Sequence, residues 1–191
     1  QLRARWSDMP IVGLEPAVKP ACLQSKSRRI AVLATEHSLR SDMFLATASR
    51  YASDVEVLKV VGEGFVELVE RGAERSAEAE AAVRRVIGPL LSEGIDKIVL
   101  GCTHYPILQP KIEAFLSKNH RTISIVSQGE IVALSLQDYL HRHNDIAQRC
   151  LINENRSLPD ITYLTTESAS RFAESASIFL NLPIQAQHIE L

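Results

Sequence analysis

The run Gly101-Cys102-Thr103-His104-Tyr105-Pro106 concentrates reactive side chains more than any other stretch of this 191-residue chain. A free thiol titrates near about 8.5, and a neighbouring cation or helix N-terminus lowers that value. Cys102 can therefore act as acid, base or nucleophile near neutral pH. His104 lies two residues on, close enough to tune the thiol or share protons with it. Thr103 offers a hydroxyl and an N–H that can hold a carboxylate, and Gly101 lets the backbone turn and approach a ligand. A plainer alternative stays open for Cys-x-His taken alone: a buried structural thiol beside an incidental surface histidine. A metal is not expected, because two ligands are too few and no other Cys/His pair has ligand spacing. Thr35-Glu36 is a second polar tip, although Thr35 by itself reads equally well as a helix cap. Glu70 alone reads as a solvated charge on a helix face. Cys22 and Cys150 read as packing or incidental thiols, and His141 and His143 as surface residues at a helix end.

These tips need elements to hold them. Residues 30–34 (Ile-Ala-Val-Leu-Ala) form a short, wholly apolar run, as expected of a central parallel strand buried on both faces. Residues 55–61, 97–100, 122–126 and 161–164 read as further strands, and 11–14 as a strand-like run near the start. Helical spacing marks 41–51, 76–91, 110–116 and 131–140. The clearest helix is 76–91, with Glu78 and Glu80 at its positive end and Gly94 closing it. Thr165 and Thr166 are placed to cap a helix running to Leu180, and 145–160 reads as a polar loop. Strand and helix alternate throughout, which implies an α/β fold of parallel sheets with helices on both faces. In such folds ligands sit beyond the carboxyl ends of the strands, where both polar tips fall.

Composition narrows the partners. At 46% hydrophobic and 23% charged the chain is ordinary globular material, not disordered or collagen-like. No apolar run approaches the roughly 18 residues of a membrane span, so no membrane partner is expected. A net charge of −2 supplies no basic field for a phosphate backbone, so nucleic acid is not expected either. Three widely spaced cysteines make no disulfide framework, which points to a reducing, cytoplasmic setting. The chain opens Gln1-Leu2-Arg3 without Met and without signal-peptide features, and reads as if entered part-way through.

From Gly101 through Tyr105-Pro106-Ile107-Leu108 the sequence resembles the glutamate racemases of the aspartate/glutamate racemase family. The likeness extends to Val12-Gly13-Leu14-Glu15-Pro16-Ala17-Val18-Lys19-Pro20-Ala21, to Val32-Leu33-Ala34-Thr35-Glu36 with Arg40-Ser41, to Phe65-Val66-Glu67-Leu68-Val69-Glu70, and to Tyr163-Leu164-Thr165-Thr166. It implies a racemase-like α/β fold and a cofactor-independent isomerase that makes D-glutamate for peptidoglycan, and hence for the cell wall and cell shape. Two thiols on opposite faces of the substrate α-carbon would do the work, one from each of two pseudo-symmetric halves. The resemblance makes Cys102 the second thiol, has His104 assist it, and sets Glu70 near the site as the third candidate catalytic residue. Thr103 and Thr35 become the substrate-binding residues. Glutamate is the implied small-molecule partner, and a homodimer is one arrangement the resemblance allows.

The departures matter as much. The family's Asp-Ser-Gly start and its Ala-Cys-Asn-Thr motif, which carries the first thiol, are missing from this sequence, and neither Cys22 nor Cys150 matches that thiol. The expectation is a racemase lacking roughly its first 90 to 100 residues, about a half domain. Residues 1–126 would then be the α/β domain carrying the second thiol. Residues 127–191 would be a return segment that packs with the absent half. Gly62-Glu63-Gly64 also stands where the family often has Cys-Pro. Two other readings remain: a non-catalytic remnant or interaction module that keeps a carboxylate-binding pocket, and a one-thiol enzyme acting next to a carboxylate.

Overall fold

A computed structural model describes residues 2–12, 17–150 and 161–190. The chain divides into two compact units, Gln1–Leu136 and Gln137–Leu191.

In the first unit the elements follow in the order α1 (Leu2–Arg5), α2 (Val18–Gln24), β1 (Arg29–Ala34), α3 (Glu36–Arg40), α4 (Asp42–Tyr51), β2 (Glu56–Val61), α5 (Phe65–Glu70) and α6 (Ala77–Ile87). A 3₁₀ turn (Gly88–Ser92), β3 (Lys97–Leu100), α7 (Tyr105–Lys118) and β4 (Ser124–Ser127) follow, and α8 (Gln128–Arg142) begins in this unit. The sheet order is β2-β1-β3-β4. Every pair is parallel, with Leu33 opposite Val60 and Leu100, and Leu100 opposite Ser127. From β1 the chain first goes outward to β2, then crosses back past β1 to β3. Because crossovers keep one hand, this reversal sends successive helices to opposite faces.

The pleat sorts the core accordingly. Ile30, Val32, Ala34 and Val99 face α2 and α4 and pack with Val18, Cys22 and Phe44. Ala31, Leu33, Ile98 and Leu100 face α5, α6 and α7 and pack with Phe65, Val83, Ile87 and Leu108. Central β1 and β3 are thus buried on both sides, which is why they read as unbroken apolar runs. Each large aliphatic side chain so buried contributes about 1.5–3 kcal/mol. At the opposite end of the sheet, Asp96 ties the loop before β3 to the loop before β1. Its carboxylate accepts from the Ser25 hydroxyl at 2.7 Å and from the N–H groups of Lys26 and Ser27 at 2.6 and 3.2 Å. Burial pushes the Asp96 pKa up, but these donors outweigh it and hold the group down at about 2.

The second unit holds α9 (Asn144–Cys150), β5 (Tyr163–Thr165), α10 (Ala169–Leu180) and β6 (Ala186–His188), with β5 and β6 paired in parallel. Tyr163 packs near Phe172, with ring centroids 6.4 Å apart. Asn181 closes α10 in the left-handed region at φ 51°. No residue of α10 is buried, and Ile178, Phe179 and Leu180 are exposed.

Several boundaries differ from the sequence reading. The helix expected at 110–116 spans Tyr105–Lys118, because Pro106, not Pro110, occupies its first turn. Pro110 then sits inside the helix, a position that costs about 3 kcal/mol. The burial of Tyr105, Leu108, Ile112 and Leu116 on one face offsets that cost. The helix expected at 76–91 is α-helical only to Ile87, and Pro89, which lacks an N–H, lies in the 3₁₀ turn that follows. Part of the expected loop at 145–160 is helical, since α9 begins at Asn144, and 151–160 lie outside the described residues. Ser168, not Thr165 or Thr166, caps α10, its hydroxyl accepting from the Arg171 N–H. Thr165 closes β5 instead. Ile11 and Val12 are irregular, while Gly13 and Leu14 lie outside the described residues. Helices α3 and α5 and strand β6 were not anticipated.

Candidate active site

In a doubly wound sheet, the crevice opens where neighbouring strands send their following chains to opposite faces. Here that place is the carboxyl end of β1 beside β3. Thr35 directly follows β1, and Gly101-Cys102-Thr103-His104 directly follows β3. The Gly101 N–H donates to the Leu33 carbonyl at 2.8 Å, so the last sheet bond fixes where the reactive loop departs. A cleft of about 520 Å³ lies at this point, lined by both tips together with Ser38, Ser41, Phe44, Val66 and Gln128.

Cys102, His104 and Glu70 form a chain of contacts at this cleft. Cys102 Sγ lies 3.8 Å from His104 Nδ1, and His104 Nε2 lies 3.2 Å from Glu70 Oε1. Thr103 Oγ1 lies 3.5 Å from the same Nδ1. The thiol is half-buried and leans on the core face formed by α5, α6 and α7. The imidazole is mostly covered and the Glu70 carboxylate mostly exposed. The arrangement can pass a proton between thiol and imidazole while the carboxylate orients the ring.

Why Glu70 reaches His104 follows from α5. Gly64 supplies the left-handed residue, φ 79°, that starts this one-and-a-half-turn helix. Phe65, Leu68 and Val69 are buried, so α5 is pinned by its apolar side and Glu70 ends it on the open side. The ring of Phe65 meets that of Tyr105 edge-on at 5.3 Å. Tyr105 also donates its hydroxyl to the Gly62 carbonyl at 3.2 Å. Burial, and then the nearby Cys102 and Glu67, raise the Tyr105 pKa well above its ordinary value, so it stays a neutral donor. Tyr105, the residue after His104, is therefore held by an aromatic contact and bolted to the backbone before α5.

On the β1 side Thr35 is a helix cap as well as a wall of the cleft. Its Oγ1 accepts from the Ser38 N–H at 3.3 Å and lies 2.9 Å from the Ser38 hydroxyl. Ser41 caps α4 in the same way, through the Phe44 N–H. The structure thus brings Cys102, Thr103, His104, Glu70 and Thr35 to one end of the sheet. Cys22 is elsewhere: it is buried on the inner side of α2, and desolvation together with Asp54 raises its pKa. The side chain of Cys150 lies outside the described residues. Among the described residues no group of three or more His, Cys, Asp or Glu is placed to share a metal ion, and no helix is long and apolar enough to cross a membrane. Gln128 and the Gly62–Tyr105 contact went unnoticed in the sequence. The only signal for the latter was the Gly62-Glu63-Gly64 run.

The fold agrees with what known proteins show. A family model described as Asp/Glu/Hydantoin racemase matches residues 1–150, and the chain belongs to that family. Within it, the chain is 40% identical over 147 residues to a glutamate racemase of Ectopseudomonas mendocina, covering 77% of this chain and 55% of that protein. It is 36% identical over 173 residues to the glutamate racemase of Herpetosiphon aurantiacus, covering 91% and 64%. The chain spans about half the length of the curated relatives it matches. Among solved structures it resembles glutamate racemase isoform RacE1 from Bacillus anthracis, at TM-score 0.76 and 26% identity. That match covers all of this chain and 69% of the other.

Proposed function

We propose that this chain carries one catalytic half-site of a cofactor-independent amino-acid racemase acting on glutamate. The observation that carries this reading is the contact chain Cys102–His104–Glu70 at the carboxyl end of β3, in a family whose curated members named above are glutamate racemases. The Cys102 thiolate takes the α-proton from one face of the substrate and becomes a thiol. A second thiol opposite returns a proton to the carbanion and is left as a thiolate. His104 exchanges its proton with Cys102 between turnovers, and Glu70 holds the imidazole. The Thr103 N–H and hydroxyl, with the Thr35 hydroxyl, hold a substrate carboxylate.

The second thiol comes from a companion half of the kind the family carries, in the same polypeptide or added as a separate fragment. Residues 1–126 form the domain with Cys102, and 127–191 pack against that companion. The exposed Ile178, Phe179 and Leu180 on α10 support this assignment, since contiguous apolar patches mark interfaces. The D-glutamate so made serves peptidoglycan synthesis in the cytoplasm, and the assembled enzyme is a homodimer.

The test is D-glutamate formation from L-glutamate with no pyridoxal phosphate or metal added. The 191-residue chain alone should be inactive, because a positioned acid or base is worth roughly 10² to 10⁴ in rate and one is absent. Supplying the companion half should restore turnover, and Cys102→Ala should then abolish it. Cys102-dependent turnover by the chain alone would overturn the two-thiol reading. A restored enzyme indifferent to Cys102→Ala would overturn the assignment of Cys102.

A further inference from the structure

Helix α5 is six residues long, well short of the roughly 12 residues an isolated helix needs in water, so its placement comes from what it touches. Two consecutive residues, His104 and Tyr105, hold its two ends. At the last residue of α5, Glu70 Oε1 meets His104 Nε2 at 3.2 Å. Before its first residue, the Gly62 carbonyl accepts from the Tyr105 hydroxyl at 3.2 Å and from the N–H of Phe65 at 3.1 Å. The Gly62 N–H in turn donates at 3.2 Å to the carbonyl of Ala34, which ends β1 directly before Thr35. Gly62 is thus bonded to the tip of β1, to the start of α5 and to the start of α7. It is buried, and the space a side chain would fill there is taken by the Tyr105 ring. Glu70 is exposed, so where its carboxylate lies depends on where α5 stands. The buried Phe65, Leu68 and Val69 hold α5 on the core, but apolar burial is non-directional. A hydrogen bond, by contrast, fixes a distance and an angle.

We propose that Tyr105 is a positioning residue of the Cys102–His104–Glu70 chain: its bond to Gly62 fixes α5 relative to the β3 loop and so keeps the Glu70 carboxylate on the His104 ring. The catalytic consequence rests on the function proposed above. The positioning itself concerns contacts within this chain and is measured without substrate.

The experiment is a double-mutant cycle between Tyr105→Phe and Glu70→Gln, read at the imidazole nitrogens of His104 in the ¹⁵N-labelled 191-residue chain. Tyr105→Phe keeps the ring that meets Phe65 and removes only the hydroxyl. In the wild-type background, Glu70→Gln should move the His104 Nε2 signal. In the Tyr105→Phe background the same substitution should move it far less, because the carboxylate has already left the ring. Equal shifts in the two backgrounds would show that packing alone places α5, and would overturn the proposal. In the enzyme restored with its companion half, Tyr105→Phe should lower kcat about tenfold and leave KM within about twofold. It should cost nothing further in a Glu70→Gln background. Losses that multiply would show a general structural effect instead of action through Glu70, and would also overturn the proposal. A restored wild-type enzyme that forms no D-glutamate would overturn the function proposed above, while the NMR cycle still decides this inference. The wild type supplies a second check if the variant folds poorly. Its Tyr105 hydroxyl proton should be protected from solvent exchange and show a cross-peak to Gly62; a hydroxyl that exchanges freely would overturn the proposal.

Discussion

Replacing Gly62 by Ala tests the account of how the Tyr105 ring, next in sequence to His104, is held. A Cβ at position 62 would lie 2.5 Å from Tyr105 Oη, 2.6 Å from Cζ and 2.8 Å from Cε2. Ordinary contact between such atoms is about 3.5 Å, so the ring must retreat by about an ångström. It has nowhere to go: Tyr105 is 1% exposed and meets Phe65 edge-on at 5.3 Å. Forcing an extra carbon into such packing costs about 1–3 kcal/mol, and the Tyr105–Gly62 hydrogen bond is worth about 1 more. Loss of glycine's freedom in the unfolded chain returns about 0.4–1 kcal/mol. The net expectation is a destabilisation of roughly 2–3 kcal/mol. Gly62 has no positive φ, so the whole cost is steric. Gly64 supplies the contrast. Its φ is +79° and its nearest neighbour would be 3.6 Å away, so Gly64→Ala should cost about 1–2 kcal/mol through backbone strain alone.

Urea titration, read at amide signals of β1 and β3, measures each variant within the first unit. The deciding step is to repeat both substitutions in a Tyr105→Ala background. There the Gly62→Ala cost should vanish while the Gly64→Ala cost persists, since only the first is coupled to the ring. If Gly62→Ala alone costs less than about 0.5 kcal/mol, the size of an ordinary surface change, or if its cost survives removal of the ring, the reasoning fails. Because Tyr105 directly follows His104, displacing the ring should also shift the His104 and Glu70 signals in the folded variant.

Asp96→Asn should destabilise the chain near neutral pH by about 1–2 kcal/mol, after discounting for solvent screening of a group that is not fully buried. Because the folded pKa is depressed to about 2, the wild-type advantage should be complete above about pH 4 and shrink as pH falls toward 2. A gap that stays constant across that range in acid denaturation would remove the carboxylate from the account. Under limiting iodoacetamide, Cys102 should be alkylated before Cys22, which is buried and has a raised pKa. Peptide mapping that finds Cys22 modified first would contradict the placement of Cys102 at an open strand tip.

The parts of this molecule that could be read from sequence are those whose meaning is local. Cys102 and His104 are two residues apart at a strand end, so their juxtaposition needs no tertiary information. The runs at 30–34 and 97–100 announce themselves because both faces of β1 and β3 are buried, and a strand with two buried faces has no polar alternation to confuse it. Edge strand β2 is far less buried, yet its β-branched residues still mark it. Boundaries failed where two signals of one kind competed: Pro106 and Pro110 each satisfy the rule for a helix start, as Thr165, Thr166 and Ser168 each satisfy the rule for a cap. Only packing chooses among them. Helix α7 begins at Tyr105 because starting there buries an aromatic ring against Phe65.

The residues that escaped the sequence reading are defined by strand order. Gln128 lines the cleft because β4 lies next to β3 in register, and no pattern in residues 124–142 encodes that neighbour. Its unpaired oxygen is a property of what surrounds it, not of the residue type. Gly62 matters because a tyrosine 43 positions later fills the space its missing side chain leaves. Glu70 stands between these cases. Its type is ordinary for an exposed helix end, and it comes to touch His104 only because α5 and the β3 loop meet at the same end of the sheet, where Oε1 comes within 3.2 Å of Nε2. The reversal of chain direction at β1 is therefore the step that turns scattered polar residues into a site. It places the tips of β1 and β3 side by side, sends α4 to one face and α5 to the other, and leaves at their end the cleft lined by the thiol and the imidazole, with the Glu70 carboxylate against the ring.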